Sequence, residues 1–171
     1  MLRKIKIYGS QVLERQAEPV SEFNDSIKKL AIDMIETLKN AGGLGLSAPQ
    51  VGISKQLIVI KFPAEGAELN DGYSAIINPQ LTISGDSVVI EEGCLSFPGI
   101  FVKIPRRRFT EVIAYNINGD QISGSFEELN ARVLQHEVDH LNGILITDRM
   151  SILTRTMLSS KLKKLSILSK R

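Results

Sequence analysis

A chain of 171 residues, 43% of them hydrophobic, suffices for one domain with a proper core and is too short for two comfortable ones. Its single cysteine excludes an internal disulfide, the opening Met1-Leu2-Arg3-Lys4-Ile5-Lys6 lacks the apolar run of a secretory signal, and no stretch approaches the roughly 20 apolar residues that cross a bilayer, so a soluble cytoplasmic protein without membrane contact is expected. The net charge of +2 is uneven: residues 151–171 hold Arg155, Lys161, Lys163, Lys164, Lys170 and Arg171 with no acid, which makes +6 there and leaves −4 for residues 1–150.

In chain order, Asn24 or Asp25 caps a helix whose Ile27, Leu30, Ala31, Met34, Ile35 and Leu38 form one apolar stripe, ending at Gly42-Gly43. Leu57–Ile60 and Ala75–Ile77 read as short buried strands, each closed by a proline, Pro63 or Pro79, and Leu81–Ile90 reads as extended. Val112–Ile117 and Gln121–Phe126 flank Asn118-Gly119-Asp120, a hairpin signal because Asn and Gly tolerate the positive φ of tight turns. Ser125 with Glu128 suggests a capping box for a second helix, which Asn142-Gly143 stops. The sequence thus predicts an α+β fold: antiparallel sheets and hairpins packed around a central helix, with an N-terminal helix and a basic C-terminal one. Residues 1–150 form a single catalytic domain in this reading, and 151–171 a basic amphipathic tail with Ile152, Leu158, Leu162 and Leu165 at near-helical spacing. Such a tail is a solvated helix lying on the body, or a contact for an anionic partner such as RNA.

The chain's only two histidines stand four residues apart in Gln135-His136-Glu137-Val138-Asp139-His140. On a helix, residues i and i+4 share a face, so both imidazoles can reach one ion while Glu137, one step round, overlooks an open coordination position. Cys94, in Glu91-Glu92-Gly93-Cys94-Leu95-Ser96, is available as third ligand. Three protein ligands leave a tetrahedral ion one place for water, the pattern of a catalytic centre; a structural site wants four, and no further cysteine or histidine exists. Water on such an ion falls in pKa from 15.7 toward about 7, and Glu137 is placed to take its proton and pass it to a leaving amine. The S, N, N set suits zinc, ferrous iron or cobalt. A nucleophilic role for Cys94 is disfavoured because both histidines are committed to the metal.

Gly43-x-Gly45-x-x-Ala48 formally matches a dinucleotide fingerprint, but it follows a helix and runs into Pro49, so no nucleotide cofactor is expected. Glycines admit close backbone approach, which makes this loop a candidate wall for an extended peptide; an ordinary helix cap and turn explains it as well. The Gln50 amide, or the backbone N–H of Leu95, could steady a developing oxyanion.

Together, Gly43-Leu44-Gly45-Leu46-Ser47-Ala48-Pro49-Gln50, Glu92-Gly93-Cys94-Leu95-Ser96 and Gln135–His140 resemble the three signature motifs of the peptide deformylases, in the same order and at similar separation. The resemblance implies removal of the formyl group from the formyl-methionine of nascent polypeptides, with release of formate. It also implies Cys94, His136 and His140 as ligands of ferrous iron, replaceable by zinc, nickel or cobalt, with Glu137 as general base and acid and Gln50 and Leu95 as oxyanion donors. By the same likeness the substrate pairs as an added strand between Gly43–Gly45 and Glu92-Gly93, and Leu44, Ile90, Leu129, Val133 and the edge of His136 line the methionine pocket, although core packing explains these residues too. Ser47 stands where relatives often have alanine. The tail resembles the helical C-terminus of the compact bacterial type, which implies docking on the ribosome in a bacterial cytoplasm.

Two other readings have distinct signatures. An HExxH metallopeptidase of the zincin kind needs a third ligand after the motif, and the only carboxylate beyond His140 is Asp148, past the Gly143 helix stop. A non-enzymatic, metal-stabilised module binding RNA or the ribosome would leave Glu137 dispensable.

Overall fold

The computed structural model describes residues 1–69 and 71–170. The first helix, α1 (Asp25–Ala41), starts where the Asn24 side chain accepts from the backbone N–H of Ser26 and Ile27, and it stops at Gly42 in the left-handed conformation (φ 70°). Five antiparallel strands follow as one sheet in sequential order: β1 (Gly45–Ser47), β2 (Leu57–Ile60), β3 (Ser74–Gly93), β4 (Phe101–Tyr115) and β5 (Gln121–Glu127). Helix α2 (Glu128–Leu141) carries both histidines, and three short helices close the chain: α3 (Ile146–Arg149), α4 (Ile152–Met157) and α5 (Ser159–Leu168).

Strand β2 explains why its sequence is continuously apolar. Leu57 and Val59 pack with α1 residues such as Leu30, Met34 and Leu38, whereas Ile58 and Ile60 pack with Leu134 and Leu141 of α2. A strand covered by a helix on each face has no polar side to show. A third cluster joins Leu13, Phe97, Ile100, Val102 and Ile104 to Leu162 and Leu165 of α5.

Several sequence expectations are corrected. Pro79 does not end a strand: β3 continues past it through an irregularity between Ile77 and Gln80, with Asn78 at φ 51°. Pairing with β2 stops at Ile77, so the missing N–H of Pro79 breaks no ladder. Strand β4 begins at Phe101, eleven residues before the apolar alternation at Val112 becomes visible. Among the described residues its first half pairs with no strand but β3, so Pro105 sits on an edge where it costs no ladder hydrogen bond. Ser125 does not cap α2; it pairs with Glu111 inside β5, which runs straight into the helix through Glu128 at φ 51°. Gly45–Ser47 is a short edge strand rather than a loop. The tail is two helices, not one stripe: Leu162 and Leu165 are buried, while Ile152 is exposed.

The hairpin between β4 and β5 closes on Asn116, whose Oδ1 accepts from the N–H of Asn118 and Asp120, with Gly119 at φ 89°. No helix among the described residues is long and apolar enough to cross a membrane.

Candidate metal centre and cleft

Three segments meet at one point. Cys94 follows directly on β3, and His136 and His140 project from one face of α2, as their spacing requires. The ligand atoms of Cys94, His136 and His140 all lie within 4.8 Å of one another, and Cys94 Sγ is 3.2 Å from His140 Nε2. Donors held about 2.0–2.3 Å from a tetrahedral ion stand roughly 3.3–3.6 Å apart, so the triangle is of metal-binding size. The two rings meet edge to face with centroids 5.0 Å apart. His136 Nδ1 is taken by Glu92 Oε2 at 3.1 Å, which leaves Nε2 for the centre. A sulfur and two imidazole nitrogens fit a divalent ion of intermediate softness.

Glu137 stands beside this triangle, buried, and its Oε2 has no hydrogen-bond partner among the described residues. Burial pushes the carboxyl up to about 7, against the pull of the neighbouring His136 and Arg106 charges. The two imidazoles differ. Burial opposes protonation of both, but hydrogen bonds to Cys94 and Glu92 raise His136, whereas burial and the His136 charge hold His140 well below the ordinary range.

Beneath the ligands runs an ion-pair network that sequence reading missed. Arg106 of β4 donates to both oxygens of Glu92, at 2.9 and 3.1 Å, and to Asp139 at 2.5 Å. Arg132 donates to Glu92 as well, and Arg149 grips both oxygens of Asp139. Burial works against the Glu92 charge, yet the hydrogen bonds from His136 and Arg106 outweigh it and hold the carboxyl down to about 2. One guanidinium therefore ties the residue two before Cys94 to the residue one before His140. The signal was the register of β4: Val102, Ile104, Arg106, Thr110, Val112 and Ala114 face inward, so an arginine in that row must have a buried partner.

Cys94 and His136 open onto a cleft of about 560 Å³. Gly43, Leu44 and Gly45 line one side, Ile90, Glu92 and Gly93 the other, and Gln50, Leu95, Leu129, Val133, His136 and Glu137 lie between. All of the residues expected to touch substrate are thus brought together, though the Glu92 carboxylate is committed to the arginines. Leu44, Ile90 and Leu129 are exposed, unlike core residues, while Val133 is buried. Lys61 N–H bonds to Leu44 O, and Gly45 pairs with Ile60 in β2, so β1 is an edge whose other side faces the cleft. The Gln50 amide nitrogen reaches Cys94 Sγ at 3.6 Å.

The profile of the family described as polypeptide deformylase matches residues 2–156. The peptide deformylase of Thermotoga maritima is 43% identical over 169 residues, covering 98% of this chain and 99% of that one. That of Thermodesulfovibrio yellowstonii is 43% identical over 160 residues, covering 94% and 96%. Among solved structures, the peptide deformylase of Thermus thermophilus superposes with a TM-score of 0.88 at 35% identity, covering 98% of this chain and 99% of that one. The enzyme from Thermotoga maritima does so with a TM-score of 0.80 at 43% identity, covering 88% and 99%. With the cleft, the ligand triangle and the likeness along nearly the whole chain in agreement, the chain belongs to the polypeptide deformylase family.

Proposed function

We propose that Cys94, His136 and His140 hold one divalent metal ion, ferrous iron in the cell with zinc, nickel or cobalt as substitutes, and that Glu137 is the general base and acid of a formyl hydrolysis. The overall activity is that of the family: the chain is a metal-dependent hydrolase that removes the N-terminal formyl group from nascent polypeptides. The observation that carries the residue assignment is the convergence of three donor atoms within 4.8 Å beside a buried carboxylate with an unpartnered oxygen.

The ion, when bound, supplies Lewis acidity and makes a water molecule acidic enough to act as nucleophile near neutral pH. Glu137 takes the proton of the attacking water and returns it to the departing amine, so that formate leaves and a free α-amino group forms. The Gln50 amide and the Leu95 backbone N–H donate to the oxygen of the formyl carbonyl as it gains charge. Main-chain groups on the free edge of β1 and on the Glu92-Gly93 side of β3 pair with the substrate backbone, which accepts many sequences. Leu44, Ile90, Leu129 and Val133 receive the methionine side chain.

The catalytic body spans residues 1–150, and the tail over 151–171 is a separate functional unit. Its exposed Lys161, Lys163, Lys164 and Lys170, without a single acid, suit the phosphate backbone of ribosomal RNA, which places the enzyme where formylated chains emerge. A bacterial cytoplasm is the matching compartment, since nascent chains are made there and a reducing medium preserves the lone thiol.

Anaerobic purification, metal analysis and formate release from a formyl-methionyl peptide test ion and reaction together. One equivalent of divalent metal with rapid formate release is expected, and Cys94→Ser should lose most of the ion. Full metal content in Cys94→Ser would exclude the coordination.

A further inference from the structure

The side-chain amide of Gln50 is held at both ends. Its oxygen accepts from the Ser47 backbone N–H at 2.8 Å and from the Ser47 hydroxyl at 3.0 Å. Its nitrogen donates to Ser96 Oγ at 3.2 Å and reaches Cys94 Sγ at 3.6 Å. Ser47, Gln50 and Ser96 are 0%, 1% and 0% exposed, so water competes for none of these bonds.

The local sequence explains the hold. Ser47-Ala48-Pro49-Gln50 begins a 3-10 turn with Ser47 at the N-cap and Gln50 three residues on. In that arrangement a glutamine folds back and its oxygen accepts from the N–H of the cap residue, which turns both amide hydrogens outward. Rotating the amide by 180° would set its NH2 against the Ser47 N–H, donor against donor. One outward hydrogen goes to Ser96, which does not line the cleft; the other goes toward Cys94, which does. The contact with sulfur is long, and an incoming carbonyl oxygen can take that hydrogen over.

We propose that Ser47 and Ser96 form a clamp of positioning residues that fixes the Gln50 amide so that one N–H points at the formyl oxygen. The clamp rests on the reading of Gln50 as an oxyanion donor. Such donors act within about 2.7–3.1 Å of the charge they stabilise, and a misplacement of about 1 Å can cost roughly a hundredfold in rate. Loosening the amide should therefore lower kcat and leave KM nearly unchanged, because ground-state binding runs through the strand edges and the methionine pocket.

The test compares Ser47→Ala, Ser96→Ala, Gln50→Ala and the doubles with Gln50→Ala, all at matched metal content and with a formyl-methionyl peptide as substrate. Ser96→Ala should lose about 5- to 30-fold in kcat, and Ser47→Ala, which keeps the backbone N–H on the amide oxygen, about 2- to 5-fold, each with KM within about twofold. In the Gln50→Ala background neither serine change should cost anything further. In the zinc-loaded protein, the side-chain amide proton resonances of Gln50, followed by 15N NMR, should move toward those of a free glutamine in Ser96→Ala. If one serine variant fails to fold, the other carries the comparison. Wild-type kcat in the folded serine variants, or an equal loss with and without Gln50, overturns the clamp. Wild-type kcat in Gln50→Ala would instead sink the underlying reading of Gln50, and the clamp with it.

Discussion

The carboxylate of Glu137 lies directly under the backbone of Gly45: a β-carbon at residue 45 would meet Oε1 at 2.6 Å, Cγ at 2.8 Å and the carboxyl carbon at 2.9 Å. Glycine at this point of β1 lets the sheet edge close over the base and shed the water around it. Gly45→Ala leaves the strand intact, since the atoms in the way belong to a movable side chain, and it pushes Glu137 aside. The expected result is a loss of about 10- to 100-fold in kcat with metal content unchanged. Formate release with parallel metal analysis checks it, and a variant with normal turnover would show that Glu137 does not need this roof.

Removing the base itself should be more damaging. Glu137→Ala keeps Cys94, His136 and His140 and hence the ion, but it has no group within reach to take or return a proton. A fall of about 10²- to 10⁴-fold in turnover is expected, with retention of metal close to that of the parent. Near-normal deformylation by this variant would remove Glu137 from the mechanism.

What could be read in advance follows from where the pattern was local. His136, Glu137 and His140 share one helical turn, and the α1 stripe from Ile27 to Leu38 repeats at helical spacing, so both were visible without coordinates. The joining of Cys94 to them across 42 residues of sequence was not a matter of spacing: it was offered because the chain has one cysteine and no third histidine, and the likeness of three motifs then implied it. The first half of β4 stayed hidden because Pro105 and the basic run Arg106-Arg107-Arg108 interrupt the apolar alternation. With that strand unseen, nothing marked Arg106 as inward-facing. The tail misled for the opposite reason: a tidy stripe from Ile152 to Leu165 suggested one helix, whereas packing selects Leu162 and Leu165 and leaves Ile152 in solvent.

Arg106 bridges Glu92 and Asp139 and so braces both metal-ligand segments. Arg106→Met keeps the volume and removes the bridge, leaving two buried carboxylates short of a partner. Stability should fall by about 3–5 kcal/mol in urea unfolding, and zinc affinity, measured by competition with a chelator, should fall about 10- to 100-fold. Arg106→Lys restores one charge without the two-pronged grip and should lie between. Undiminished zinc affinity in a destabilised Arg106→Met would confine the residue to holding the fold.

The proposed ribosome contact demands a test that separates charge from packing, because the tail carries exposed lysines beside the buried Leu162 and Leu165. Leu162 and Leu165 belong to the cluster around Leu13, Phe97 and Ile100, and Phe97 stands three residues after Cys94. Deleting residues beyond Met150 therefore strips apolar cover near the metal and confounds any measurement of ribosome affinity. Replacing the exposed Lys161, Lys163, Lys164 and Lys170 by glutamine leaves that packing alone. Binding to ribosomes should weaken in this variant, more at low salt than at high, while deformylation of a short free peptide stays at the parent rate. Leu162→Ala is the converse: it should cost about 2–5 kcal/mol of stability while the four lysines, and the salt dependence of ribosome binding, remain. Ribosome affinity untouched by loss of all four charges would leave the tail with its packing role alone.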